Sequence, residues 1–275
     1  METPPRPARP RRSRLNDLDV REWMRFTKSW FVCNPPPRKR AEKEHPAKFP
    51  EPMAAEFIRF FTRPGEAVLD PFAGVGSALA AAAAEGRRGV GIEICAAFCA
   101  VAHERLPGEQ TALLRGDAAE AGALLRAAGI ERVQYVLTSP PYWNMLRHSR
   151  GNVTSAQQLR RRAGLREAYT DQPADLGNEA DYERFLGRLT AILAALREVL
   201  EPGRYLTVVA QNIRVPQGEV IPFAWDLTAR LREHYTFKGE RIWAQDNKRL
   251  GCWGWPSELV TNVHHHYCLN FKHDR

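Results

Sequence analysis

Short apolar runs alternate with segments of helical spacing through most of this 275-residue chain. Residues 51–62 place Ala54, Phe57, Ile58 and Phe61 on one helical face, and Pro64-Gly65 breaks the pattern. Ala67-Val68-Leu69 reads as a buried strand. The alanine-rich run from Ser77 to Glu85 reads as a helix stopped by Gly86. Gly89 to Ile94 is a second strand and residues 95–105 a second helix. Ala112 to Arg115 is a third strand leading into Gly116-Asp117, with a helix over Ala118 to Ala128 and a fourth strand over 133–138. Asp181 to Leu200 predicts a strong amphipathic helix bearing Phe185, Leu186, Leu189, Ile192, Leu193 and Leu196 on one side. Tyr205 to Ala210 is a fifth strand and Ile221 to His234 a helix. Two strands without a helix between them, Phe237 to Trp243 and Val263 to Phe271, end the chain.

Regular alternation of strand and helix predicts an α/β fold, a largely parallel sheet with helices on both faces. The final two strands are expected to pair as a hairpin-like edge joined by residues 245–262. Ahead of this region, residues 15–33 are amphipathic and aromatic, with Asp17 or Asp19 as the cap of a short helix through Trp23. Pro35, Pro36 and Pro37 end that element. Residues 144–179 are polar, Arg-rich and aperiodic, a long insertion of the kind that is functional or disordered.

Composition changes this picture little: 44% hydrophobic and 26% charged residues suit an ordinary globular chain. No apolar stretch approaches the roughly 20 residues of a membrane span, and the first ten residues lack the apolar centre of a secretory signal. Five cysteines, Cys33, Cys95, Cys99, Cys252 and Cys268, form no Cys-x-x-Cys pair, so a reduced cytoplasmic chain is expected. Cys95 and Cys99, at helical spacing, are expected to be buried as small apolar residues.

Charge does change it. The net +8 is concentrated: residues 1–40 carry 11 Lys/Arg against 4 Asp/Glu, and residues 144–166 carry six Arg and no acid. Residues 1–14, Pro and Arg without apolar partners, read as a disordered basic tail. The second cluster comes directly after the most distinctive turn in the chain, where a polyanion is the expected partner.

That turn is Ser139-Pro140-Pro141-Tyr142-Trp143, at the end of the strand 133–138. Two prolines stop a strand and stiffen the turn beyond it. The Ser139 hydroxyl, the carbonyls and the Tyr142 ring can then be aimed into a cleft, where they would hold a planar base with an exocyclic amine. Upstream, Asp70-Pro71-Phe72-Ala73-Gly74-Val75-Gly76-Ser77 also succeeds a strand and opens a helix, with Gly74 and Gly76 expected to let a ligand approach the backbone. It is not the dinucleotide fingerprint, since Leu79 stands at the third glycine position. An acid at Asp70 repels pyrophosphate and suits an ammonium. Glu93, beside Ile94 at the next strand end, can bind two ribose hydroxyls, and Asp117, at the third, can accept from an adenine amine. Three acids at successive strand ends point to a nucleoside ligand without phosphate.

These residues resemble a DNA amino-methyltransferase of the cytosine-N4 type. The resemblance rests on Ser139 to Trp143, Asp70 to Ser77, Gly91-Ile92-Glu93 and His45-Pro46-Ala47-Lys48-Phe49-Pro50. The segments Thr27 to Phe31 and His266 to Lys272 also carry it. It covers roughly residues 15–272 and implies the class I, Rossmann-like methyltransferase fold with a mixed seven-stranded sheet. It also implies S-adenosylmethionine as cofactor, and Phe49 and Pro50 beside the methionine end of that cofactor. The family's adenine-N6 members more often begin the turn with Asp or Asn.

On this reading the target cytosine flips out of duplex DNA and Tyr142 stacks on it. Trp143 would line the pocket or pack in the core. Ser139 and the Pro140 carbonyl would accept from the amine, which attacks the methyl carbon directly. Lys28, Arg147, Arg150, Arg160, Arg161, Arg162, Arg249 and Trp253 are the candidate DNA contacts, with recognition segments at about 144–179 and 245–262 inserted in a methyltransferase domain spanning 15–275. A nucleoid-associated location, a separate cognate restriction endonuclease, and a monomer or homodimer are the expected setting. Adenine-N6 methylation is the nearest alternative, then methylation of an RNA guanine amine or a protein glutamine, and last a non-enzymatic DNA-binding relic. His264 and His266 would share one face of a strand, but two ligands rarely make a metal site, so packing or a DNA-facing role is expected.

Overall fold

The structure, a computed structural model, describes residues 15–35, 49–143, 174–215, 219–248, 250–252 and 254–274. Seventeen α-helices and β-strands succeed one another among them. The first are α1 (Val20–Phe26), β1 (Trp30–Val32), α2 (Glu51–Phe61), β2 (Ala67–Asp70), α3 (Ser77–Ala84), β3 (Arg88–Glu93), α4 (Ala96–Arg105), β4 (Thr111–Arg115), α5 (Ala121–Ala127) and β5 (Val133–Thr138). After these come α6 (Tyr182–Ala195), β6 (Leu200–Ala210), β7 (Ile213–Arg214), β8 (Val220–Ile221), α7 (Phe223–Leu231), β9 (Thr236–Ala244) and β10 (His265–Lys272).

The main sheet has eight strands in the order β1-β9-β10-β6-β5-β2-β3-β4. All neighbours are parallel except β10, which runs antiparallel to β6 and β9. Seven of these strands form a mixed sheet, the strand count that the resemblance implied. The eighth, β1, is an addition. Trp30, Phe31 and Val32 pair with Ile242, Trp243 and Ala244, so β1 and not β9 forms that edge. A three-residue strand carries too little periodicity to be read locally, and its partner lies over 200 residues away.

Strands β2, β3 and β5 are buried on both faces, as a covered parallel sheet requires. Alternation along β2 shows the two layers: Val68 packs with Phe57, Phe61 and Leu79 of α2 and α3, and Leu69 packs with Leu125, Leu189 and Leu193 of α5 and α6. The alanine-rich α3 lies close on β3, because a Cβ on Gly89 would stand 2.8 Å from the Leu79 Cα. Small residues on both sides permit that approach.

The N-terminal segment is pinned by a capping box on α1, in which Asp19 accepts from the Glu22 amide at 2.8 Å and Glu22 from the Asp19 amide at 2.9 Å. The cap is Asp19, the nearer of the two candidates. Buried Arg241 of β9 then locks α1, β1 and α2 together. Its guanidinium lies 4.0 Å from the Phe26 ring centre and 4.4 Å from that of Phe31, pairs with Glu56 at 3.3 Å, and donates to the Lys28 carbonyl.

Boundaries differ at three places. The expected helix to Leu200 ends at Ala195, because β6 begins at Leu200, where it already pairs with Val133. The helix expected from Ile221 starts at Phe223, since Val220 and Ile221 are drawn into a two-stranded ribbon with Arg214 and Ile213. β10 does not merely form a terminal hairpin with β9 but lies inside the sheet, bonded on both sides.

Candidate active site at the carboxyl edge of the sheet

Register brings the chemistry together. Asp70 pairs with Gly91 and Leu69 with Val136, while Glu93 pairs with Arg115. The ends of β2, β3, β4 and β5 therefore fall on one edge. The chain runs outward from β2 to β3 and β4, then returns to the other side of β2 as β5. That reversal opens a crevice where ligands of open α/β sheets bind. Here it is a cleft partly open to solvent.

One wall comes from Pro71, Phe72, Glu93, Ile94 and Asp117, and another from Ser139, Pro140, Pro141 and Tyr142. Some residues of each expected half-site thus line one cleft. Ile92, Gly116 and Ala118 complete the first wall. A third wall, Ala174, Asp175 and Leu176, was not anticipated, since it sits at the end of the segment read as a recognition insertion. The only local signal was Asp-x-Gly, and Asp175 does accept from the Gly177 amide at 2.8 Å. That pattern predicts a turn, not a cleft.

The acids are held in place by backbone donors. Glu93 accepts from the Gly74 amide at 2.7 Å and from the Cys95 amide at 2.8 Å. Burial pushes its carboxyl up to about 7, against the pull of those two bonds, and Asp175 adds a smaller upward push. Asp70 is buried and accepts from the Thr138 hydroxyl at 2.7 Å and the Phe72 amide at 3.0 Å. Burial likewise raises it to about 7. Asp117 accepts from the Ala119 amide at 2.9 Å.

The other expected cofactor residues, Phe49, Pro50, Asp70, Ala73, Gly74, Gly76 and Ser77, are not among those lining this cleft. Phe49 packs in the core with Met53 and Phe57. The Ala73 amide bonds to Ile92 and the Gly76 amide to Ala73, closing the loop on itself. Gly76 has φ +80, and a Cβ there would stand 2.9 Å from Leu106 Cδ1. The close neighbour on its Cα side is thus Leu106. Ser77 Oγ is buried without a protein hydrogen bond at the start of α3.

In the Ser139–Trp143 turn, Tyr142 is 9% exposed, its ring 6.0 Å from Phe223 and 6.3 Å from His266, and it lines the cleft. Trp143 has φ 46, alone among described non-glycine residues in the left-handed region. It packs edge-on to Tyr182 at 5.5 Å and does not line the cleft, in keeping with the core alternative. His266 stacks on Trp243 at 4.4 Å and burial lowers it to about 3, which fits the packing role. Cys95 and Cys99 are buried, as their spacing indicated.

Of the candidate DNA contacts, Lys28 lies just before β1, its ammonium 3.6 Å from the centre of the Trp30 ring. Arg147, Arg150, Arg160, Arg161, Arg162, Arg249 and Trp253 lie outside the described residues. No described helix is long and apolar enough to cross a membrane.

Residues 10–104 match the model of a family described as DNA methylase, the N6/N4 methyltransferases. An orphan methyltransferase of Bacillus amyloliquefaciens, M.BamHII, is 36% identical over 80 residues, 28% of this chain and 30% of that protein. The type II methyltransferase M.Cfr9I of Citrobacter freundii is 40% identical over 75 residues, 27% of this chain and 25% of that protein. The chain thus spans less than a third of the length of either relative. Among solved structures, a precorrin-6y C5,15-methyltransferase of Geobacter metallireducens aligns with a TM-score of 0.46 at 11% identity, over 81% of this chain and 87% of that one. Over residues 10–104, about a third of its length, this chain is similar to the N6/N4 DNA methylase family.

Proposed function

We propose that the chain is an S-adenosylmethionine-dependent DNA amino-methyltransferase, and that its target is the N4 amine of cytosine. One observation carries the reading: the acid-bearing ends of β3 and β4 and the Ser139–Tyr142 turn line the same cleft. The cleft suits the cofactor. Among its described lining residues, Glu93, Asp117 and Asp175 are acids, and none is Lys, Arg or His. Such a wall favours a ligand bearing ammonium, sulfonium and hydroxyl groups and disfavours a pyrophosphate. When bound, S-adenosylmethionine supplies an electrophilic methyl group on sulfur.

The residues of the chain then have separable tasks. Glu93 has lone pairs left for ribose hydroxyls after its two backbone bonds, and Asp117 can accept from the adenine amine. Phe72 and Ile94 offer apolar surface to the base. Ser139 and the Pro140 carbonyl accept from the target amine and orient its nitrogen. Orientation of this kind can lower a barrier by about 7–11 kcal/mol in favourable cases. Cytosine is favoured over adenine because a serine, and not Asp or Asn, opens the turn.

The test is product identity. The protein is incubated with S-adenosylmethionine and unmethylated bacterial DNA, which is digested to nucleosides and separated by mass spectrometry. N4-methylcytosine is expected. N6-methyladenine would overturn the cytosine assignment and keep the enzyme class. No methylated base in DNA, with methyl transfer to RNA or a protein glutamine instead, would overturn the DNA reading. Absence of S-adenosylmethionine binding would leave the DNA-binding relic.

A further inference from the structure

Ser139 Oγ lies 3.0 Å from the Tyr142 hydroxyl, and that hydroxyl lies 3.2 Å from the Val209 carbonyl oxygen. A phenol carries one proton and a carbonyl none. The Val209 contact is a hydrogen bond only if Tyr142 donates it. The phenol oxygen is then left with acceptor capacity alone, so Ser139 must be the donor in the other contact. The reverse assignment would set two lone-pair oxygens against each other at Val209, in the buried interior. Val209 is on β6 and Ser139 comes directly after β5, so the sheet itself fixes the distance between the two ends. Burial pushes the Tyr142 phenol and the Cys268 thiol upward, and keeps the His266 ring neutral by lowering it.

We propose that Tyr142 is a positioning residue that sets the polarity of Ser139: with its one proton committed to Tyr142, Ser139 Oγ presents only lone pairs to the cleft. This rests on the methyltransferase reading above. Ser139 can then take an N–H from the target amine but cannot donate to that nitrogen's lone pair. The lone pair stays free to form the N–C bond as the methyl group's C–S bond breaks. The C–S electron pair leaves on sulfur as a neutral thioether, the nitrogen becomes positive, and one of its protons departs to water. The chain of hydroxyls does not carry that proton, because it ends on a peptide carbonyl, which is not protonated near neutral pH. It orients and does not conduct. Tyr142 thereby has a task distinct from stacking on the flipped base, one that its hydroxyl and not its ring performs.

Two measurements test this. Neutron diffraction from crystals grown in D₂O locates the deuterons without any substrate. A Tyr142 deuteron directed at the Val209 oxygen, and a Ser139 deuteron directed at Tyr142, is the expected result. A Tyr142 deuteron directed at Ser139 overturns the proposal. The second is the single-turnover rate of methyl transfer from labelled S-adenosylmethionine to unmethylated bacterial DNA. Tyr142→Phe keeps the ring and should slow transfer about two- to twelvefold, the loss of roughly one oriented hydrogen bond, with little change in DNA affinity. In a Ser139→Ala background the same change should have no further effect on the rate. An equal slowing in both backgrounds would mean that Tyr142 acts through packing, and would overturn the proposal. A wild-type chain that binds S-adenosylmethionine but methylates no nucleic acid overturns the methyltransferase reading itself, and the deuteron positions still decide the polarity of the pair.

Discussion

The Gly74 amide donates a 2.7 Å hydrogen bond to the Glu93 carboxylate, closing the glycine loop after β2 onto the end of β3. Glu93 is thus both a support for that loop and a wall of the cleft, and so it must be buried. Burial is what lifts its carboxyl, and that of Asp70, to about 7.

These two acids make stability depend on pH. Their folded values lie above the ordinary ones of 4.5 and 3.8, so between about pH 4 and pH 7 the folded chain holds protons that the unfolded chain has lost. Their contribution to stability is therefore fullest below that window and is lost as pH rises through about 7. Urea unfolding of the ligand-free protein at about pH 5 and pH 8 measures the slope. Asp70→Asn should remove part of the fall. An identical slope in the variant would show that Asp70 is not protonated in the folded state. A cationic ligand favours the carboxylates, so its affinity should rise through the same window and its binding near pH 6.5 should release protons to buffer.

Asp175 tests the electrostatic character of the cleft. Removing one negative charge at an effective dielectric near 20 and a separation on the order of 10 Å costs a cationic ligand about 1–2 kcal/mol. Asp175→Asn should weaken S-adenosylmethionine about tenfold and its neutral thioether product less, by calorimetric titration of both. Equal weakening would place Asp175 against a part of the ligand common to the two.

Gly76 and Leu106 test the glycine loop. Gly65 and Gly76 both have positive φ, +81 and +80, but an added Cβ at Gly65 meets open space and at Gly76 meets Leu106 at 2.9 Å. Gly65→Ala should cost about 1–2 kcal/mol, the backbone penalty alone. Gly76→Ala should cost more, and Leu106→Ala in the same chain should recover the excess. Equal losses for the two glycine variants in chemical denaturation would show that Leu106 simply moves aside.

Trp143 holds a left-handed backbone and packs on Tyr182. A β-branched residue suffers most in that conformation and glycine least. Trp143→Gly should therefore lose less thermal stability than Trp143→Val, although valine retains more apolar surface. The reverse order would mean that packing outweighs the backbone at this turn.

Much of this architecture was legible along the chain. Strand-helix alternation with apolar periodicity identified most of the sheet's strands and all of the α-helices before the Ser139–Trp143 turn, because burial on both faces of a parallel sheet leaves a local signature. Acids at the ends of Ala67–Asp70 and Arg88–Glu93, an acid just beyond Thr111–Arg115, and the Ser-Pro-Pro-Tyr-Trp turn were legible for the same reason: strand ends are set by local chemistry.

Tertiary structure alone decided the rest. That Trp30–Val32 is a strand depends on the free edge of β9, more than 200 residues distant, and no local pattern encodes a partner. That Asp175 walls the cleft depends on how α6 is seated against the sheet. That Leu106 stands against Gly76 depends on where α4 ends. The tie from Ser139 through Tyr142 to Val209 joins two strands whose spacing only the sheet sets. Residue type and periodicity specify what a segment can bury or bond. Which distant group it meets is determined by the packing of the whole chain.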